Sequence, residues 1–259
     1  MRGAPRRRLV SAGRSSAGVT LHRFFLPPEC FEPRHVTFPD HTAHQMRRVL
    51  RLRSGDQAIV LDGSGKEYVV RLTISAEAVE GTIEHEQENT TEPPIQLTLY
   101  QGLLKGAKFE LVLQKCTELG VARFVPVNTA RSVAAEPGEA RLHRFEAIVR
   151  EAAEQSGRGR IPQVGAPETF GSALRMAMAN GPSIMLYEEE EDRRLTDVPI
   201  LAATPREISV FVGPEGGFAP EEADAAVGAG AELVTLGPRI LRAETAAIAG
   251  TALLLDYLR

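Results

Sequence analysis

The sequence predicts a mixed α/β protein in which a small β-barrel domain precedes a larger domain of alternating strands and helices. Residues 21–88 contain short β-like runs separated by turns, whereas apolar runs alternate with helical patterns from Gln96 onward. A polar, acidic stretch over residues 84–94 ends in two prolines and predicts a linker between the two domains. We therefore predict a tail over residues 1–19, the barrel domain over 20–90 and the α/β domain over 91–259.

Composition narrows the classes of function. The chain has 259 residues and a net charge of −4, so a contact with nucleic acid needs a local basic patch instead of an overall positive field. No apolar run is long enough to span a bilayer, which predicts no membrane partner. Cys30, Cys116 and the six histidines lack the spacing of metal ligands, so we expect no metal and residence in the cytoplasm.

Residues 1–19 are rich in Arg, Ser, Ala and Gly and have no periodicity, which predicts a disordered tail. Five arginines precede Thr20, and the first acidic residue is Glu29. A transit peptide has the same arginine-rich, acid-poor composition and remains the alternative interpretation.

The barrel is predicted from strand-like runs at residues 23–26, 35–38, 57–61 and 68–74. The sequence Asp-Gly-Ser-Gly at residues 62–65 lies between the last two runs and predicts a hairpin turn.

Residues 40–53 form an arginine-rich helical pattern between two of these runs. Asp40 is a plausible N-cap, and Ala43, Met46, Val49 and Leu50 form an apolar stripe. Four arginines fall within seven residues: Arg47, Arg48, Arg51 and Arg53. A solvated cationic helix end is the alternative, but in an acidic chain we interpret this cluster as a contact with phosphates.

In the larger domain, strands are predicted at residues 96–101, 123–127, 183–187, 208–212 and 232–236. Helices are predicted at residues 107–119, where Gly120 ends the helix, at 141–155, after Phe218 and at 243–258. The five consecutive acids from Glu188 to Asp192 are interpreted as a solvated loop edge, although a functional role stays open because they follow a strand.

Two glycine-proline loops predict a binding pocket. Residues 213–218 and 237–245 each follow an apolar strand, and ligands of open α/β sheets bind at the carboxyl ends of strands. Glycine lets a backbone approach a ligand closely, and we expect a side chain at Gly216 to occupy the space that the ligand needs. Ordinary βα turns are the alternative. The chain lacks the dinucleotide fingerprint, the P-loop and the nucleophile elbow.

The strings Gly-Pro-Glu-Gly-Gly at 213–217 and Leu-Gly-Pro-Arg-Ile-Leu-Arg-Ala-Glu-Thr at 236–245 resemble the paired motifs of SPOUT methyltransferases. They are most similar to the 16S ribosomal RNA (uracil-N3)-methyltransferase family, and the resemblance extends from about Leu21 to the C-terminus. It implies a PUA-like RNA-binding barrel, an α/β trefoil knot, S-adenosylmethionine as cofactor, a homodimer and ribosomal RNA of the small subunit as partner.

The resemblance also implies which residues form the cofactor site. They are Leu186, Tyr187, Gly213, Pro214, Glu215, Gly216, Gly217, Leu236, Gly237, Pro238, Ile240 and Leu241. The RNA-binding residues that it implies are Arg23, Arg47, Arg48, Arg51, Arg158 and Arg239, of which Arg48 and Arg51 belong to an Arg-Val-Leu-Arg motif.

Arg242 and Glu244 are the implied catalytic residues. Arg242 is expected to stabilise charge on the uracil carbonyl oxygens, and Glu244 to act as base or to orient Arg242. A favourable carboxylate in the first turn of a helix is the alternative for Glu244.

In the last helix, Ala243, Ala247 and Gly250 share a face that would permit close packing against a partner, although alanine is also simply a good helix former. A non-catalytic RNA-binding protein with the same fold is the alternative function.

Overall fold

A computed structural model describes residues 21–199, 201 and 205–258. The predicted tail over residues 1–19 lies outside the described residues. The chain divides into an amino-terminal unit and a carboxyl-terminal unit, and the boundary along the chain falls between Thr91 and Glu92.

The strands have the following bounds: β1 His22–Phe25, β2 His35–Thr37, β3 Gln57–Leu61, β4 Lys66–Ile74, β5 Val79–Glu88, β6 Gln96–Gly102, β7 Arg123–Asn128, β8 Gln163–Val164, β9 Glu168–Thr169, β10 Ser183–Leu186, β11 Glu207–Val212 and β12 Glu232–Val234. The helices are α1 Asp40–His44, α2 Lys108–Leu119, α3 Glu139–Ser156, α4 Phe170–Asn180, α5 Pro220–Ala229 and α6 Ala243–Tyr257. Helix α4 was not predicted from the sequence.

The amino-terminal unit contains a five-stranded sheet in the order β1-β3-β4-β5-β2. Strands β3 and β4 pair antiparallel, as the predicted hairpin turn between them requires, while β1 pairs parallel to β3. Alternating residues of these strands point into one apolar core, which includes Val36, Val60 and Val70.

The arginine-rich helix differs from its prediction. Helix α1 ends at His44 and continues as a π-helical turn over Gln45–Val49, in which the Leu50 amide donates to the Gln45 carbonyl. A π turn adds a residue per turn and rotates the following side chains away from the original face. Met46 is buried, as the predicted apolar stripe requires, whereas Val49 of the same stripe is 69 % exposed. Asp40 is the first helical residue and makes no side-chain cap.

The predicted linker begins too early. Residues 84–88 belong to β5, which pairs antiparallel with β4 as far as the Lys66–Glu88 pair. The side chains of this end of β5 are mostly exposed, so the segment has the composition of a loop. Its strand conformation comes from backbone hydrogen bonds to β4, and these leave no signal in the side-chain pattern.

The carboxyl-terminal unit confirms the predicted α/β architecture. All strand pairs of its sheet are parallel, in the order β12-β10-β11-β6-β7-β8, and β9 also pairs with β7. Residues from α2, α3 and α6 pack with the strands in one core cluster, and residues from α4 and α5 pack with them in a second. The predicted glycine stop is confirmed, since Gly120 ends α2 with φ of 119°. Gly157 ends α3 in the same way, with φ of 79°.

The small-residue face of α6 is placed differently from the prediction. Ala243 and Ala247 are buried within their own unit. A Cβ built on Gly250 would lie 2.5 Å from Leu186 Cδ1, so glycine allows α6 to lie directly on the end of β10. The apolar side chains that α6 exposes are instead Leu253 and Tyr257.

Candidate functional site

The candidate site lies where three adjacent strands end together. Leu186 at the end of β10 is in register with Val212 of β11 on one side and with Val234 of β12 on the other. The loops that follow these three strands therefore emerge side by side from the carboxyl edge of the sheet. This is the position at which open α/β sheets bind ligands.

The three loops and the start of α6 enclose a cavity of about 810 Å³, which is within the range of about 300–1,000 Å³ of small-molecule sites. Its charged side chains are six carboxylates and three cations. They are Glu188, Glu190, Glu191, Asp192, Glu215, Glu244, Lys108, Arg239 and Arg242. The excess of carboxylates favours a ligand with positive charge.

The loop over residues 213–218 is held at its start by the end of β6. Gln101 is fully buried, and its Nε2 donates to the carbonyls of Gly102 and Gly213, both at 3.1 Å. Gly102 leaves no room for a side chain, because a Cβ there would lie 2.4 Å from the backbone nitrogen of Pro214. The position of this loop is thus determined by residues more than 100 positions earlier in the chain.

Glu215 fixes the middle of the same loop. Its Oε1 accepts from the Lys105 amide at 3.1 Å and from Lys108 Nζ at 3.0 Å. Burial acts to raise the pKa of Glu215, but the hydrogen bonds from Lys108 and from the backbone outweigh it and hold the pKa below its ordinary value. The carboxylate is therefore charged at neutral pH, and it ties the loop to the start of α2.

Gly216 and Gly217 have different surroundings. Gly216 is exposed and does not line the cavity; its carbonyl accepts from Arg131 Nη1 at 3.1 Å, and a Cβ there would lie 3.1 Å from the Cβ of Arg131. Gly217 lines the cavity with φ of 68°, and a Cβ there would lie 1.6 Å from Glu188 Oε1. A side chain at Gly216 would therefore meet Arg131 and not the cavity, contrary to the expectation from the sequence, whereas the bare backbone of Gly217 makes room for the Glu188 carboxylate in the cavity wall.

The acidic loop after β10 supplies much of the wall. Glu190 accepts from the backbone amides of Asp192 and Arg193, which lowers its pKa and keeps it charged. Tyr187 donates to Glu189 at 2.9 Å, and burial together with this contact raises the Tyr187 pKa to about 12. Four of the five acids are exposed, as expected of a solvated loop edge, and four of the five also line the cavity.

The third loop leads into α6 and carries the predicted catalytic residues. Ile240 is 89 % exposed at the mouth of the cavity, and Arg239 and Arg242 are also exposed. Arg242 lies immediately before the first residue of α6. Glu244 is half-buried, and its Oε2 is buried without a hydrogen-bond partner in the described structure. A carboxylate oxygen of this kind on a cavity wall is available to a ligand or a substrate proton.

The structure brings most of the predicted site residues of this unit together. Every predicted cofactor residue except Gly216 lines the cavity, as do Arg239, Arg242 and Glu244. Sequence reasoning missed Gln101, Gly102 and Glu222, and it interpreted Lys108 as a solvated side chain at a loop. Glu222 is buried and its carboxylate accepts from the Ala130 and Ala219 amides, both at 2.9 Å, which fixes the end of the 213–218 loop. The only available signal was a capping glutamate three residues after Ala219.

Arg158 does not have the placement expected for an RNA contact. It is 4 % exposed, pairs with Glu92 at 2.7 Å and also donates to the carbonyl of Thr117. A guanidinium with these partners holds the start of this unit to the end of α2 and has no free donor fork for a phosphate. We therefore interpret Arg158 as structural.

The predicted RNA-binding arginines of the amino-terminal unit fall into two groups. Arg23 is largely buried and pairs with the fully buried Glu67, which also accepts from Gln87 and Asn89, so its role is structural as well. Arg48 and Arg51 are exposed on or just after the π turn, and Arg51 has φ of 56°. Arg47 is half-buried, with Nε and Nη2 lacking hydrogen-bond partners in the described structure.

Two family models match the chain. A family described as RNA methyltransferase domain matches residues 91–255, and a family described as RNA methyltransferase PUA domain matches residues 38–84. Together they assign one family to each of the two units.

Relatives and solved structures agree with these matches. The ribosomal RNA small subunit methyltransferase E of a Synechocystis species is 35 % identical over 90 % of this chain and 76 % of its own. A crystal structure of the protein with that name from Neisseria gonorrhoeae, bound to S-adenosyl methionine, is 35 % identical with a TM-score of 0.81 over 91 % of this chain and 97 % of its own. A putative methyltransferase from Legionella pneumophila, also with bound S-adenosylmethionine, is 30 % identical with a TM-score of 0.83 over 92 % of this chain and 98 % of its own.

Proposed function

Because this chain belongs to the RNA methyltransferase family that includes ribosomal RNA small subunit methyltransferase E, we propose that it methylates N3 of a uridine in 16S ribosomal RNA. The chain is an S-adenosylmethionine-dependent methyltransferase of 16S ribosomal RNA. The observation that carries the finer assignment is the cavity at the ends of β10, β11 and β12, with Arg242 and Glu244 in its wall.

The residues of the cavity fit S-adenosylmethionine. The cofactor combines a sulfonium and an ammonium with one carboxylate, and the cavity has six carboxylates against three cations. Residues of the 213–217 and 236–241 loops line much of it, and the bare backbone of Gly217 lets Glu188 Oε1 lie where a Cβ would otherwise be. We propose that these two loops with Leu186 and Tyr187 hold the cofactor, and that Glu188 and its acidic neighbours complement its charge.

When bound, S-adenosylmethionine supplies a methyl group that the sulfonium charge already activates. The remaining work is alignment of the base and removal of the N3 proton, because neutral uracil N3 is a poor nucleophile. We propose that the Arg242 guanidinium stabilises negative charge on the carbonyl oxygens beside N3. Glu244 Oε2, which is buried without a partner, accepts the proton or orients Arg242.

The rival function is a non-catalytic RNA-binding protein that retains the fold. It predicts no affinity for the cofactor, so titration of the purified chain with S-adenosylmethionine in a calorimeter separates the two. We then expect methyl transfer to small ribosomal subunits from a strain that lacks its own enzyme, and mass mapping should place one methyl group on N3 of a uridine. A methyl group on a ribose or on another base would contradict the proposed chemistry.

We assign RNA recognition to the barrel domain over residues 20–90 and methyl transfer to residues 91–259. Arg47, Arg48 and Arg51 are the proposed phosphate contacts of the first domain. Arg48 in the π turn and Arg51 just after it are exposed, and two side-chain nitrogens of Arg47 lack a hydrogen-bond partner in the described structure. π turns and left-handed residues other than glycine are both concentrated at functional sites. Arg239 at the mouth of the cavity is the proposed contact beside the target nucleotide.

Replacing Arg48 and Arg51 together by alanine should weaken RNA binding and reduce its salt dependence. Each phosphate contact that is lost should lower the slope of log affinity against log salt by roughly 0.7–0.9. Filter binding at several salt concentrations measures this slope. The matched control replaces two exposed arginines of the other unit, Arg175 and Arg206, by alanine. Equal slopes for the two double variants would contradict the assignment.

The resemblance also leads us to propose a homodimer and a trefoil knot. Leu253 and Tyr257 leave an apolar strip of α6 exposed, at 54 % and 43 %, and this strip is a suitable surface for a second copy. Size measurement by light scattering tests the dimer.

No helix among the described residues is long and apolar enough to cross a membrane. We propose that the protein acts in the cytoplasm, where its ribosomal RNA substrate is found.

A further inference from the structure

A second cavity lies at the opposite end of the same sheet. It has a volume of about 720 Å³ and is formed by α3, the start of β7 and the segment over residues 161–165. Arg123 and Gln163, which are paired in register, are the first residues of β7 and β8, whereas the candidate cofactor cavity lies at the last residues of β10, β11 and β12. The two cavities share no lining residue.

Arg123 is the central feature of this cavity. It is half-buried, and its Nε is buried without a hydrogen-bond partner. Its guanidinium forms no ion pair with the residues that the structure describes. An N–H donor that is buried without an acceptor is unfavourable, so an acceptor that reaches Arg123 Nε from outside the chain would stabilise this arrangement.

The surroundings of Arg123 favour an anion as that compensation. The titratable side chains of the cavity are Arg123, Arg150, His143 and Glu146. The single carboxylate, Glu146, is already engaged by His143 Nδ1 at 3.2 Å. Two guanidiniums therefore face a cavity with one partly neutralised acid, in a chain whose net charge is −4.

The position of Arg123 is also well determined. Its backbone lies in a parallel pair with β8. The backbone N–H of Gln163 donates to the Ala122 carbonyl at 3.0 Å, and that of Gly165 donates to the Phe124 carbonyl at 2.8 Å. Its Nη2 lies 3.7 Å from the position that a Cβ on Gly165 would occupy, so glycine keeps that side of the guanidinium open. Sites built on strands hold their groups more rigidly than sites on loops.

We propose that this cavity is a second site that binds a phosphate group, with Arg123 as its principal ligand and Arg150 in support. A planar guanidinium fork matches two oxygens of a phosphate. The phosphate comes from the backbone of the RNA substrate or from a free phosphorylated small molecule. The RNA source rests on the proposed function, since a ribosomal RNA is large enough to reach a surface remote from the reacting base.

The test compares Arg123→Gln with Arg175→Gln, which removes the same charge from an exposed position outside both cavities. If the phosphate belongs to the RNA, Arg123→Gln should raise KM for small ribosomal subunits about tenfold and lower the salt slope of binding by roughly 0.7–0.9. The affinity for S-adenosylmethionine and kcat should stay at wild-type values. Arg123→Lys should recover only part of the RNA affinity that Arg123→Gln loses, because an ammonium lacks the planar fork of a guanidinium.

The second arm uses inorganic phosphate alone. If the source is a small molecule, phosphate should raise the melting temperature of the wild type and of Arg175→Gln but not of Arg123→Gln, while RNA binding is unchanged. Identical behaviour of Arg123→Gln and Arg175→Gln in both arms would overturn the proposed phosphate site. Loss of methyl transfer by the wild type itself would instead contradict the proposed function. If Arg123→Gln fails to fold, Arg150→Gln tests the same cavity from an exposed position.

Discussion

Replacing Arg242 by alanine is expected to lower the single-turnover rate of methyl transfer by about 10²–10³, the usual effect of losing a donor that stabilises an oxyanion. The guanidinium is exposed on the cavity wall immediately before α6. Because its proposed contact forms as N3 loses its proton, the affinity for S-adenosylmethionine should hardly change. Raising the pH should restore part of the rate, since hydroxide then supplies the uracil anion.

The measurement is single-turnover methyl transfer against pH for the wild type and for Arg242→Ala. Arg239→Ala is the matched control, because Arg239 lines the same cavity but is assigned to RNA binding. It should raise KM for RNA and keep the rate at saturating RNA. Arg242→Lys should recover less of the single-turnover rate than its positive charge alone suggests, because an ammonium lacks the planar fork of a guanidinium. Equal rates and parallel pH profiles for wild type and Arg242→Ala would leave Arg242 structural and transfer the catalytic assignment to Glu244.

Gly102→Ala is expected to lower kcat/KM by about 10², the loss that a misplacement of about 1 Å causes in an aligned site. The new Cβ would lie 2.4 Å from the backbone nitrogen of Pro214 and 2.8 Å from the carbonyl carbon of Gly213. Both are backbone atoms, so the clash cannot be relieved by rotating a side chain. The start of the 213–218 loop must move, and the affinity for S-adenosylmethionine should fall together with the rate.

Overpacking also costs about 1–3 kcal/mol of stability, so thermal unfolding has to accompany the assay. Gly228→Ala is the control for the substitution itself. Gly228 lies in α5 with no atom within 4 Å of a built Cβ, and alanine there should stabilise the helix by about 1 kcal/mol without affecting the cofactor. A folded Gly102→Ala protein with wild-type affinity for S-adenosylmethionine would mean that the loop tolerates the shift.

The fold class and most element bounds could be predicted because they depend on patterns within one segment. Strand β3 has its predicted limits, and α2 ends at Gly120 as its apolar periodicity and the following glycine indicate. The glycine-proline loops were recognisable for the same reason, since each follows its own apolar strand. The π turn after α1 was not, because hydrogen bonding one residue further along leaves the composition unchanged.

The cavity itself was decided by the tertiary structure. The sequence places loops after β10, β11 and β12, but only the pairing of all three strands in register brings those loops to one edge. The ties that Gln101, Lys108 and Arg131 make to the 213–218 loop join residues that are 85 to 112 positions apart. No periodicity within a segment carries that information.

The charged residues show the same division. Arg23, Arg48 and Arg158 are alike in the sequence, yet two of them are buried in ion pairs and one is exposed. The sequence alone determined where charges occur and that a basic cluster stands out in an acidic chain. The tertiary structure decided which charges have partners, because a guanidinium can be buried only where distant segments place a carboxylate or a carbonyl beside it.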